Sequence, residues 1–129
     1  MKVSKFQELE IWKLSTELVI EIYNLTKNSK FSSDFGLRDQ IRRAAVSIPS
    51  NISEGFEMNN NNDFIRLLKI SKGSIGEVKT QLYISLKINY ILESEHNELV
   101  FKLDILAAQI GGFIKYLLKK KHDKEYKSQ

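Results

Sequence analysis

Leu37, Ile41, Ala44, Ala45, Ile48 and Ile52 recur at steps of three and four residues. That period belongs to one face of an α-helix and to no strand. The stripe stays in phase through Pro49, the chain's only proline. Proline cannot donate to the carbonyl of Ala45, so the expectation is a kinked helix rather than a broken one. Three further stretches carry the same period. On the first, Leu9, Trp12, Val19, Ile22 and Tyr23 recur, widened by Ile11, Leu14, Leu18 and Leu25. On the third, Phe64, Leu67, Leu68, Ser71, Ile75, Val78, Leu82, Ser85 and Leu86 share a face. On the fourth, Leu99, Leu103, Leu106, Ile110, Phe113 and Leu117 do.

These stretches predict helices over about 7–27, 35–56, 63–88 and 94–121, with 122–129 as a charged, frayed tail. Asn28 to Ser33 reads as a turn, with Ser33 or Asp34 capping the next helix. Glu57 to Asn62 reads as a polar loop, with Asn62 as cap of the third helix and Ser94 as cap of the fourth. Asn89 suits a left-handed helix end. Short connections between amphipathic helices predict an all-α, antiparallel up-down-up-down four-helix bundle, a single domain over 1–129.

The 129 residues are 42% hydrophobic, enough for one core, and contain no cysteine. Disulfides, a thiolate metal site and a cysteine nucleophile are thereby excluded. The longest apolar runs are short and broken by charge, and no secretory signal is evident, so the expectation is a cytoplasmic protein with no membrane partner. Twenty Lys and Arg against 16 Asp and Glu give a net charge of +4, which permits polyanion binding without demanding it.

Two ridges run beside the apolar stripes. Gln40, Arg43, Ser47, Asn51 and Glu54 form a polar ridge on the second helix. Ile70, Ser74, Glu77, Gln81, Ile84 and Ile88 form a mixed one on the third. If Glu57 and Asp63 lie opposite each other across the loop, paired positions add up to about 120 in an antiparallel hairpin. Ser47 then faces Ser74, and Arg43 faces Glu77. The ridges are read as a structural polar seam of Gln40, Arg43, Ser47, Asn51, Glu54, Ser74, Glu77 and Gln81, with a partly buried Arg43–Glu77 ion pair. The spare apolar stripe of Ile70, Ile84 and Ile88 predicts a homo-oligomer. Gly73 and Gly76 lie mid-helix off the core stripe, where glycine admits a close approach.

Arg38 and Arg42 on the second helix, with Arg66, Lys69, Lys72 and Lys79 on the third, are the candidate nucleic-acid contacts, acting on phosphates. No catalytic constellation accompanies them. His96 and His122 have no paired ligand motif, no serine has an evident base, and Glu54 with Glu77 reads as salt bridging. No catalytic residue, cofactor or metal is therefore expected.

Phe35-Gly36-Leu37, followed by the run from Gln40 through Arg43, Ser47, Pro49 and Asn51 to Gly55, resembles the signature of proteins encoded in intervening sequences of bacterial 23S ribosomal RNA genes. Leu9, Trp12, Tyr23, Phe64, Leu67, Leu68, Gly73, Ser74 and Glu77 also fit, and Ser53 stands where alanine is usual. The resemblance implies a four-helix bundle assembled as a homopentamer, without catalysis. It extends to the accessory protein of diversity-generating retroelements, a basic pentamer that associates with a reverse transcriptase and nucleic acid. The resulting expectation is a non-enzymatic homopentamer binding RNA or DNA non-specifically through a basic surface. The alternative is a protein-interaction scaffold, or an accessory subunit for a nucleic-acid enzyme such as a reverse transcriptase, that does not itself touch nucleic acid.

Overall fold

The computed structural model describes residues 2–120. A 3-10 turn at Phe6–Glu8 precedes α1 (Glu10–Leu25). A single short helix, α2 (Ser29–Ser33), leads into three long ones: α3 (Phe35–Glu57), α4 (Asn61–Lys87) and α5 (Glu93–Lys119). The expected tail at 122–129 lies outside the described residues.

The four long helices form a bundle, each packed on two neighbours: α1 on α3 and α5, α4 on α3 and α5. Cross-helix contacts run in opposing order between α3 and α4 and between α4 and α5. Ser47 meets Ser74 and Gly55 meets Phe64 between α3 and α4. Lys79 meets Asp104 and Phe64 meets Phe113 between α4 and α5. Between α5 and α1, Lys102 meets Glu21. Leu18, Ile22, Ile41, Ile48, Ile52, Phe64, Leu68, Ile75, Leu82, Leu103, Ile110 and Leu117 fill the centre. Each such side chain contributes about 1.5–3 kcal/mol by leaving water.

The stripes expected on α3, α4 and α5 face this core, with Leu37, Leu86 and Phe113 partly buried at its edge. On α1 the axis is rotated from the expected one. Ile11, Ser15, Leu18 and Ile22 are central, Trp12 and Val19 are peripheral, and Tyr23 is exposed. Helical spacing alone leaves the centre of so wide an apolar face open, since nine positions of α1 and its approach share it. The rings of Trp12 and Tyr23 lie over the bundle's rim, Trp12 against Phe6 and Tyr23 under Arg42. α3 runs unbroken through a buried Pro49.

The caps are partly other than expected. Asp34 does cap α3, accepting from the Leu37 N–H at 3.1 Å. Asn60, not Asn62, caps α4, accepting from the Asp63 N–H at 3.0 Å. Ser94 does not cap α5. Its place is taken by Glu95, which reaches back to the Leu92 N–H at 2.8 Å. Asn59 and Asn89 adopt φ of 55° and 66° and turn the chain out of α3 and α4.

Candidate nucleic-acid interface

The six expected phosphate contacts do not form one surface. Arg38 and Arg42 both lie on α3 and are both engaged within the protomer. Arg42 donates to Thr26 Oγ1 at 2.8 Å and to the Tyr23 carbonyl, and its guanidinium lies 4.5 Å from the centre of the Tyr23 ring. Arg38 pairs with Asp39 at 3.0 Å and covers the Phe35 ring. Arg42 thus ties α3 to the end of α1, whereas Arg38 is engaged by residues of α3 itself.

On α4, Arg66 stands 3.8 Å from Asp63 and Lys79 is 2.7 Å from Asp104 of α5. Lys69 and Lys72 are exposed and form no ion pair among the described residues. The Lys72 ammonium leans over α5, 3.6 Å from where a Cβ would stand on Gly111. A paired ammonium is a weaker phosphate ligand than a free one, so of the six these two lysines carry the most available charge.

The opposite groove, between α1 and α5, has the other sign. Glu21, Glu95 and Glu98 line it with Asn24, Leu25 and Leu99. Lys102 bridges it, 2.9 Å from Glu21 and 3.5 Å from Glu98. The hydrogen bond to Glu21 holds this ammonium protonated above the usual lysine range. At the start of the chain, the Ser4 N–H, 2.9 Å from Glu8, lowers that carboxyl below its usual value.

The seam between α3 and α4 divides in two. Its inner half is built as the register argument requires. The Ser47 and Ser74 hydroxyls hydrogen-bond at 2.5 Å, Ser71 donates to the Ile48 carbonyl at 2.8 Å, and Asn51 donates to the Ser47 carbonyl at 2.7 Å. Gln81, seven residues further along α4 from Ser74, is also buried. Its outer half stays open. Gln40, Arg43, Glu54 and Glu77 are exposed, and the expected Arg43–Glu77 ion pair does not form. The two side chains line one groove with Gln40, Ala44 and Ser47, but water there solvates both charges and removes the incentive to pair.

One functional-looking cluster was missed. At the end where α1 passes to α3, the linker helix α2 is locked to the α4–α5 turn. Asn28 caps α2 and donates to the Tyr90 carbonyl at 3.1 Å. Lys30 donates to the Asn89 carbonyl at 2.7 Å. Phe31, fully buried, meets the Tyr90 ring edge-on at 5.2 Å. The Tyr90 hydroxyl donates to Asp34 at 2.9 Å, which raises its pKa above the usual tyrosine value. Phe31, a single apolar residue in a polar stretch, was the available signal. At the other end, Asn61 donates to the Lys120 carbonyl.

No group of three or more His, Asp and Glu side chains able to hold a metal occurs among the described residues. No described helix is long and apolar enough to cross a membrane.

Fold and surface together define a four-helix bundle distinguished by the placement of its exposed charge. The chain belongs to the 23S rRNA-intervening sequence protein family, whose model matches residues 7–112. A solved protein of unknown function from the S23 ribosomal protein family of Bacteroides thetaiotaomicron has the same fold. It superposes with a TM-score of 0.75 at 23% identity, over 81% of this chain and 98% of that one. No curated protein matches the chain.

Proposed function

We propose that this protein is a non-catalytic, homo-oligomeric helical bundle that holds nucleic acid by its phosphates, with Lys69 and Lys72 as principal contacts. The observation that carries the reading is that these two exposed ammonium groups have no ion-pair partner among the described residues, whereas Arg38, Arg66 and Lys79 do and Arg42 is hydrogen-bonded to α1. Contact with phosphates positions a nucleic acid but does not read its sequence. Assembly is supported by Ile70, Ile84 and Ile88, which leave 43–45% of their surface exposed along one side of α4. The homopentamer implied by the family resemblance would multiply a modest patch into a strong field.

The test is fluorescence anisotropy of labelled RNA and duplex DNA at several salt concentrations, with light scattering for the mass of the assembly. Binding should weaken with salt, and Lys69→Glu with Lys72→Glu should weaken it for all sequences alike. On duplex DNA each lost contact should flatten the log–log slope by about 0.9. Unchanged affinity in the double variant would refute the assignment. Absence of binding at low salt favours the scaffold reading. That reading has its own support in Phe101 and Leu92, apolar side chains about two-thirds exposed. Protein partners that survive nuclease treatment in a pull-down would distinguish it.

A further inference from the structure

From Phe64 to Gly76, α4 carries Arg66, Lys69 and Lys72 and no acidic residue. From Ile105 to Lys119, α5 carries Lys115 and Lys119 and no acidic residue. The antiparallel packing lays these two stretches side by side, as the Phe64–Phe113 contact and the approach of Lys72 to Gly111 require. Lys115 follows Gly111 by four residues and Lys69 precedes Lys72 by three, so each projects from the same side of its helix as its neighbour. Lys115 is exposed and, like Lys69 and Lys72, forms no ion pair among the described residues. Two ion pairs bound the tract, Asp63–Arg66 below and Lys79–Asp104 above. Between them the charged side chains toward α5 are cationic; Glu77, the one acid of α4 in this interval, lines the α3–α4 groove instead.

We propose that this face is a track for one phosphodiester strand of a double-stranded nucleic acid, with Lys69, Lys72 and Lys115 as its contacts. The inference rests on the nucleic-acid reading above and extends its site from Lys69 and Lys72 on α4 onto Lys115 of α5. Helices packed about 8–10 Å apart set these lysines in two neighbouring rows. Gly73, Gly76 and Gly112 have no atom within 4 Å of where a Cβ would stand, so no side chain blocks the approach. The choice of duplex follows from the rings. Phe64 is buried, and Phe113 and Tyr116 are partly buried and packed on each other at 5.8 Å. No exposed aromatic in the tract offers a base a stacking partner, and stacking is what ordinarily holds single strands.

The experiment measures anisotropy of a labelled duplex, and of one of its strands alone, against the full chain over a range of salt. The variants are Lys115→Gln, the triple Lys69→Gln/Lys72→Gln/Lys115→Gln, and Lys13→Gln, a remote lysine on α1 that serves as an equal-charge control. Circular dichroism checks that each folds. The slope should flatten by about 0.9 in Lys115→Gln and by about 2.7 in the triple variant, with Lys13→Gln unchanged. If the wild type binds but Lys115→Gln behaves as Lys13→Gln, the track is wrong and the nucleic-acid reading stands. If the single strand binds more tightly than the duplex, the duplex assignment is overturned. If the wild type binds neither at low salt, both readings fall.

Discussion

A single methyl group is more than the α3–α4 contact can admit at Gly55. A Cβ there would stand 2.7 Å from the Phe64 ring and 3.3 Å from both the Phe64 Cα and the Leu67 Cβ. Two of those atoms are held by the α4 backbone, so the helices must separate. Gly55→Ala should destabilise the protein by about 1–3 kcal/mol, the usual range for overpacking. Urea melts with an unshifted midpoint would refute this. At the same scale, Ser47–Ser74 was legible in the sequence and Arg43–Glu77 was not. Helical period and loop length fix which residues stand level, which suffices for short side chains at the contact. They do not fix where long charged side chains go once their tips reach water. Lys115 escaped notice for a related reason: its significance depends on which residues of α4 it stands beside.

Elements show the same division. The long helices were legible because three or more turns of apolar period leave little choice. Their ends were not, since Asn59, Asn60, Asn61 and Asn62 are all competent caps or turn formers and local chemistry does not choose among them. α2 is a single turn, too short for any period to show. Its lock on the α4–α5 turn is testable. Tyr90→Phe removes the hydrogen bond to Asp34 and should lower the melting temperature at neutral pH. The raised Tyr90 pKa gives the pH sense. The folded state holds the phenolic proton more tightly than the unfolded chain, so this stability is present below the ordinary tyrosine pKa and is lost as pH rises through the raised one. The gap between wild type and Tyr90→Phe should therefore close in alkaline melts. A gap that is absent at neutral pH, or that widens with pH, would count against the lock.

For the whole molecule, the period and the short loops made the bundle legible, while its electrical layout emerged only from the packing. Net charge says little when acids gather between α1 and α5 and bare lysines between α4 and α5. Gly73 and Gly76 also change meaning at this scale. Within the protomer nothing lies near their missing side chains, so no contact inside the chain requires glycine. Gly73→Ala and Gly76→Ala should each raise the stability of the protomer by about 1 kcal/mol through helix propensity alone. Thermal melts read this, and light scattering on the same samples reads assembly. A fall in melting temperature, or an assembly that comes apart, would place these glycines in a subunit contact instead.

The opposed direction of α4 to its two neighbours has an electrical consequence as well. A helix carries about half a positive charge at its N-terminus and half a negative charge at its C-terminus. α4 runs opposite to both α3 and α5, so at either end its backbone dipole offsets theirs within a short distance. Neither end acts as a pole. Whatever draws a polyanion to this molecule from afar must therefore come from its charged side chains rather than from its helix ends.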